Sequence, residues 1–372
     1  MPPVPRRMGE DEGVGVPEHV RAARAAPRAG RRPVLSTVHG DGRPDDPWTH
    51  LVEVHPPTRA AGLLPWLVRL RLASRGRRAV VLRGTVGAAE GWSDLLGAVV
   101  LRLTGSRARV VVSDATLEPG SAALARRLPA RATTLLEACY VRLVRAAGSR
   151  RTTWCVLSSE EQRTFAATWG LRRGRVVRTP FCHSVHEPER VVPVDAGPYV
   201  FAGGNSLRDY DRLVREWGPD LPPLRVATTR RVDAPVPPGA SVDVRPCSPR
   251  EFLDLMAGAE VVCLPLRPAA RSTGQQSYLN AMRLRRPVVV TDAPGVRDHV
   301  EEGVTGFVAG PGPGELAAAV RRALATEVGE LDALLDRAEA AVERDATPLR
   351  YRRRLLEVAG VVPPAGGAPA NS

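Results

Sequence analysis

Short apolar runs alternate with longer amphipathic segments along most of this chain. PVLSTV (33–38), RAVVLRG (78–84), ARVVVSD (108–114), WCVL (154–157) and GRVVRT (174–179) read as buried strands. A second series follows: YVFAGG (199–204), LRVATT (224–229), VDVRP (242–246), EVVCLPL (260–266) and PVVVT (287–291). Helical periodicity fills the intervals at 93–103, 121–147, 158–170, 207–217, 249–258 and 276–285. The segment SSEEQRTFAATWG (158–170) carries its own signals, with a Ser cap, two Glu at the positive end and a terminal Gly. Strand runs without polar alternation, separated by helices, predict parallel sheets covered on both faces. The fold class expected is α/β, with two doubly wound, Rossmann-like parallel-sheet domains facing each other across a cleft.

The Pro- and charge-rich stretch EPERVVPVDAGP (187–198) reads as a linker, which places one domain at 32–190 and the next at 191–346. Residues 1–31 and 361–372, rich in Pro, Gly and Ala, read as flexible tails. A helix at 347–360 is placed to cross back to the first domain.

Composition changes this picture little. Lys is absent, so all 53 basic residues are Arg, and Ala, Gly, Pro and Val abound. The formal charge of +13 is therefore read as a GC-rich coding bias, not as a nucleic-acid footprint. An aromatic content of 4% also argues against base-stacking platforms. The five Cys have neither metal-ligand nor CxxC spacing, and Cys155 and Cys263 lie in strand runs as core thiols. The N-terminus lacks the apolar core of a signal peptide, and no apolar run approaches the roughly 20 residues of a membrane helix. A cytoplasmic protein is expected, at most touching the inner face of the plasma membrane. The mixed Leu/Arg segments 59–78 and 131–151 have two readings: a basic amphipathic face for an anionic membrane, or a core-facing stripe with solvated Arg.

Three segments carry candidate chemistry. In YVFAGGNSLRDYDRLVREWG (199–218), Gly203, Gly204 and Asn205 turn a strand into a helix whose first turn holds Arg208. In RSTGQQSYLNAMRLRRPVVVT (271–291), Thr273, Gly274 and Gln275 open a helix. Its free N–H groups and dipole, with Arg271 alongside, suit a phosphate-sized anion. The third, TDAPGVRDHVEEGVTGFVAGPGPGELAAAVRRAL (291–324), runs strand, Gly turn, short helix, TGF and Pro/Gly turn into a helix. Asp45 and Asp46, between two Pro residues, read as a solvated loop.

Together these segments resemble the C-terminal half of retaining, family 4 type glycosyltransferases of the GT-B fold. The likeness is strongest over 199–325, and CVLSSEEQRTFAATWGLRRGRVVRTPF (155–181) extends it. The resemblance implies an N-terminal acceptor domain, a C-terminal nucleotide-sugar donor domain, and transfer from a nucleotide-diphosphate sugar without a metal or further cofactor. The acceptor would be a glycan, a lipid-linked molecule or a small molecule. It assigns the donor diphosphate to Gly203, Gly204, Asn205, Arg208, Arg271, Thr273, Gly274 and Gln275. The donor sugar and ribose fall to Ser272, Gln276 and Asn280, and the base to Pro246, Cys247 and Ser248. Ser272 and Asn280 stand where the family's Glu-x7-Glu motif has glutamates. Asp114 stands where the family has a His near the donor sugar, with Glu118 close by, so these two are the candidate catalytic carboxylates. The alternatives are a sugar-nucleotide epimerase, or a GT-B protein that binds a nucleotide sugar or a partner without turnover. His39, Gly40, Gly42 and His183 are weaker candidates for lining the cleft.

Overall fold

A computed structural model describes residues 31–56, 62–84, 89–117, 130–194 and 197–364. Glu118 and most of both predicted tails lie outside them.

Two six-stranded sheets, parallel throughout, form the molecule. The first contains β1 (Val34–Ser36), β2 (Val52–Val54), β3 (Ala79–Arg83), β4 (Arg109–Ser113), β5 (Thr152–Val156) and β6 (Val176–Arg178), in the order β2-β1-β3-β4-β5-β6. Its helices are α1 (Pro47–Leu51), α2 (Leu63–Ala73), α3 (Ala89–Leu103), α4 (Ala130–Ala147) and α5 (Ser159–Trp169). The second sheet contains β7 (Val200–Gly203), β8 (Leu224–Ala227), β9 (Val242–Arg245), β10 (Val261–Leu264), β11 (Val288–Thr291) and β12 (Phe307–Ala309), in the order β12-β11-β10-β7-β8-β9. Helices α6 (Tyr210–Arg215), α7 (Pro249–Gly258), α8 (Gln275–Arg283), α9 (Glu315–Ala325) and α10 (Val328–Asp345) accompany it, and α11 (Pro348–Val358) ends the fold.

Strand alternation divides each sheet between two cores. Val80, Leu82, Val110, Val112, Trp154 and Val156 face α2–α5, while Ala79, Val81, Val111 and Cys155 face the other way. That second face is covered by α11, through Tyr351, Leu355 and Leu356, so the last helix leaves the second domain and closes the first. Burying Leu355 and Leu356 stabilises this docking by about 1.5–3 kcal/mol each. Phe201, Val262, Leu264 and Val290 face α7 and α8, and Val200, Ala202, Cys263 and Val289 face α6 and α9. Cys155 and Cys263 are fully buried thiols, as their strands predict.

Several expectations need correction. Helix α6 starts at Tyr210, not Leu207, because Leu207 has a left-handed backbone (φ +52°) and Arg208 pairs with Leu266 in an isolated bridge. Asp209 is the cap, accepting from the Arg212 N–H. The Asp45–Asp46 turn is not a solvated loop throughout: Asp46 is buried, caps α1 and pairs with Arg352 of α11. On α2, Trp66 and Leu70 form the expected core-facing stripe, with Leu67 and Ala73 packed against the core, but Leu64, Val68 and Leu72 face solvent in addition. No described helix is long and apolar enough to cross a membrane.

Candidate active site

The second sheet changes winding direction beside β7. The chain runs outward through β8 and β9, then returns to β10 on the other side of β7. Ligands of open α/β sheets bind at such switch points, outside the carboxyl ends of the strands. Gly203 ends β7 there, Leu266 follows β10, and α8 begins nearby.

Arg208 occupies this point and is 4% exposed. Its Nε donates to the Gly203 carbonyl (3.3 Å), Nη1 to the Ser206 carbonyl (2.6 Å) and Thr273 Oγ1 (3.4 Å), and Nη2 to Ser277 Oγ (3.2 Å). Every one of these acceptors is neutral. Burial lowers the Arg208 pKa from its ordinary value, and Arg271, a like charge nearby, pushes the same way. A charge removed from water without an opposite charge costs several kcal/mol. The arrangement therefore favours an anion at this point. Gly204 (φ +107°) and Gly274 (φ +76°) flank the guanidinium, and a Cβ on either would lie 3.1 or 3.5 Å from Nη2. Glycine at both satisfies the backbone angle and the close approach.

Gly274 is also the residue before α8. The N–H groups of Gln275 and Gln276 take no protein acceptor among the described residues. Arg271 Nη2 donates to Ser206 Oγ (3.2 Å) and Thr273 Oγ1 to the Ser206 carbonyl (3.2 Å), which ties the two glycine turns together. Asn205 Oδ1 accepts from Thr228 Oγ1 (2.8 Å) and the Thr229 N–H (2.9 Å), fixing the end of β7 to that of β8. Gly203, Gly204, Asn205, Arg208, Arg271, Thr273, Gly274 and Gln275 are thus gathered at one strand end, and Gln276 is exposed beside them.

Ser272 and Asn280 are committed elsewhere. Ser272 is buried, and its hydroxyl donates to Glu161 Oε2 (2.7 Å), on α5 of the first domain. Ser158 Oγ donates to the same oxygen (2.9 Å). Gln275 Nε2 reaches the Leu157 carbonyl (3.2 Å), and Ser159 donates twice to Asp298. Asn280 exchanges hydrogen bonds with Ser184, which follows β6: Oδ1 accepts from the Ser184 N–H (2.7 Å) and Nδ2 donates to Ser184 Oγ (2.9 Å). Both motif positions therefore serve the seam between the sheets. In the sequence Glu161 is only one of the two Glu at the positive end of α5, and nothing local signals its partner 111 residues away.

In the first domain, Asp114 follows β4 with a left-handed backbone (φ +48°). Burial raises its pKa from 3.8 to about 6, against the opposing effects of the Tyr351 hydroxyl and Arg83. Tyr351 escaped the sequence reading. His39, Gly40 and Gly42 follow β1; His39 and Gly42 are exposed, and a Cβ on Gly40 would strike Trp48 at 2.7 Å. His183 is buried beside a cavity of about 270 Å³ that Asp46 and Arg352 also line. Pro246 and Ser248 are exposed and Cys247 half-buried after the edge strand β9, with Ser248 capping α7. Among the described residues, no three His, Cys, Asp or Glu side chains converge as a metal site would.

Comparison with known proteins agrees with this fold. The fold is that of GT-B glycosyltransferases. Residues 233–326 match the sequence family described as Glycosyl transferases group 1, a span that includes α8 and Arg271. Among solved structures, the chain resembles HepE of Anabaena in complex with UDP (TM-score 0.58, 15% identity, 84% of this chain and 87% of that one). It also resembles sucrose-phosphate synthase of Thermosynechococcus elongatus (0.56, 15%, 79% and 78%). A third is WaaG, a glycosyltransferase of lipopolysaccharide biosynthesis (0.53, 14%, 82% and 96%). Curated protein sequences give no match.

Proposed function

We propose that this protein is a glycosyltransferase that takes a sugar from a nucleotide-diphosphate sugar. The observation that carries the reading is Arg208, a buried cation with only neutral acceptors, set between two glycine turns at the start of α8. Cleavage of the glycosyl–phosphate bond leaves negative charge on the diphosphate, and preorganised stabilisation of that charge is the main catalytic demand. Arg208 and the N–H groups of Gln275 and Gln276 meet it, so a metal is not required by this scheme. The UDP and UDP-glucose complexes of the HepE relative support a nucleoside diphosphate in a fold of this kind.

In the proposed retaining reaction the incoming hydroxyl attacks the face the phosphate leaves, and the departing phosphate takes its proton. Asp114 orients a hydroxyl across the cleft. An inverting reaction is the second reading, because a carboxyl with a pKa of about 6 can act as a base near neutral pH. The acceptor is a glycan, a lipid-linked molecule or a small molecule. The exposed apolar stripe of α2 supports a lipid-linked one, presented at the inner face of the plasma membrane. A binder without turnover is the remaining reading, favoured by the use of Ser272 and Asn280 in the seam.

Calorimetric titration with UDP, GDP and their sugars, followed by a donor hydrolysis assay, tests the proposal. Arg208→Ala should weaken diphosphate binding by about 1.5–3 kcal/mol, roughly 10- to 150-fold. Absence of binding to every nucleoside diphosphate would sink it. Binding without hydrolysis or transfer selects the binder, and conversion of one sugar nucleotide to another selects an epimerase.

A further inference from the structure

The carboxylate of Asp114 is held from the far end of the chain. Tyr351 of α11 donates its phenol hydrogen to Asp114 Oδ1 and is the one hydrogen-bond donor to that carboxylate among the described residues. Tyr351 is buried, with the Phe181 ring against its own at 5.7 Å in an edge arrangement. The next residue, Arg352, pins α11 to Asp46 and Asp41, so the phenol arrives with its direction already set. The charged and titratable groups around Asp114 are Tyr351 from α11, Arg83 from β3, Cys155 from β5 and Cys182 from the segment after β6. Asp114 itself is only half-buried, and its left-handed backbone turns the chain sharply at the end of β4.

We propose that Tyr351 is a positioning residue: from the C-terminal helix it fixes one oxygen of Asp114, so that the other is presented to an acceptor hydroxyl. The use made of Asp114 rests on the transferase reading above; the hold itself does not. Two consequences separate this role from mere packing. A phenol that donates to the carboxylate favours its charged form, so removing the hydroxyl raises the Asp114 pKa. A more acidic phenol donates more strongly and lowers it.

The experiment uses the full chain with aspartate labelled at its carboxyl carbon, titrated by NMR, the Asp114 signal being assigned by its loss in Asp114→Asn. Tyr351→Phe keeps the ring, and a ring-fluorinated tyrosine at 351 keeps the shape of the residue if the Phe variant folds poorly. The expected result is an Asp114 titration moved up by about half a pH unit or more in Tyr351→Phe and down with the fluorinated ring. In the transfer assay, kcat near pH 6 should fall about tenfold with donor KM nearly constant, and the acid limb should move with the NMR titration. An unchanged Asp114 titration in both altered proteins overturns the proposal, whether or not the protein transfers sugar. A shifted titration with an unshifted pH–rate profile overturns it as well. A shifted titration in a chain with no transferase activity upholds the hold and rejects the transferase reading instead.

Discussion

Ser272 donates its hydroxyl hydrogen to Glu161 at 2.7 Å, joining the mouth of α8 to the first turn of α5 in the other domain. The resemblance to family 4 glycosyltransferases implies a motif glutamate at the position of Ser272. The carboxylate that meets Ser272 here is that of Glu161, from the opposite domain. Gly295 packs against both sides of this joint, since a Cβ there would lie 2.8 Å from the Cβ atoms of Ser158 and Ser272.

A glutamate at position 272 should therefore harm this protein. Ser272→Glu sets a second carboxylate against buried Glu161, and like charges in such a site disfavour each other. A thermal melt of Ser272→Glu should fall by several degrees at pH 8. Adding Glu161→Ser, which returns one carboxylate and one hydroxyl, should recover most of that loss. A Ser272→Glu protein as stable as the parent, or no recovery in the double variant, would show that the pair does not join the domains.

The two glycines around Arg208 give a sharper test of the anion site than removal of the arginine. Gly204→Ala and Gly274→Ala keep the charge, but the first puts a methyl 3.1 Å from the guanidinium and the second one 2.9 Å from Leu266 beside it, both at backbone angles that an L side chain rarely adopts. Each should weaken UDP or GDP binding by about tenfold or more, measured by calorimetry. Gly303→Ala also changes a left-handed glycine, but no atom lies within 4 Å of its added Cβ. It should leave affinity within about twofold.

Much of this arrangement could be read in the sequence, because parallel strands and capped helices are local patterns. The uninterrupted apolar runs around Val80, Val111, Val262 and Val289 marked their strands, and Ser158 and Gly170 marked the ends of α5. The short strand β2 was missed: it has three residues, and its middle one is Glu53. The start of α6 was misplaced because the left-handed Leu207 and the bridge of Arg208 to Leu266 depend on β10, far along the chain. The gathering of the two glycine turns was legible, since each turn follows its own strand. The commitments of Ser272 to Glu161, Asn280 to Ser184 and Asp114 to Tyr351 were not, because each joins segments with no shared local pattern.

Asp114 also leaves a signature in stability. Its folded pKa, about 6, lies above the ordinary 3.8, so between these values the folded protein holds a proton that the unfolded chain releases. Stability from this group falls as pH rises through that window. Asp114→Asn should thus melt higher than the parent at pH 8, and the gain should vanish by about pH 4. His183 and His299 act in the opposite sense: burial lowers both to about 4, so their contribution is present above 6.5 and lost on acidification. Melts of the parent and Asp114→Asn from pH 4 to 8 isolate the carboxyl, since both histidines are common to the pair. A difference that stays constant with pH would contradict the raised pKa.

Arg352 is the ionic anchor of the C-terminal helix. It is 7% exposed, and donates to Asp46 and, at 2.8 Å, to Asp41. Removing one partner of a buried pair leaves the other charge stranded, at a cost of about 3–5 kcal/mol. Arg352→Ala should lower stability by that order in urea unfolding followed by circular dichroism, with Trp48 beneath the helix losing its cover. Arg350→Ala, on the exposed face two residues earlier, should change it by no more than about 0.5 kcal/mol. Equal effects of the two substitutions would deny the anchor.

The membrane-side reading of α2 has its own consequence. Leu64, Val68 and Leu72 are 74%, 56% and 48% exposed and recur every four residues, so they share one face of the helix. Arg69 and Arg75 are exposed beside them. Arg71 donates to Thr104 at 2.7 Å, joining α2 to the end of α3, where Leu103 is 76% exposed. A cavity of about 390 Å³ lined by Arg102, Arg107, Arg150 and Arg151 follows this corner. Apolar side chains flanked by guanidinium groups suit the boundary of an anionic bilayer, where each Arg near the surface contributes about 1 kcal/mol. The full chain should therefore sediment with vesicles containing phosphatidylglycerol and less with purely zwitterionic ones, and added salt should weaken the binding. Changing Leu64, Val68 and Leu72 together to Ser should abolish most of it without lowering the melting temperature, because all three side chains leave the core untouched. Vesicle binding that survives the triple change would place the contact elsewhere, and a parent chain that binds no vesicles would remove the support for a lipid-linked acceptor.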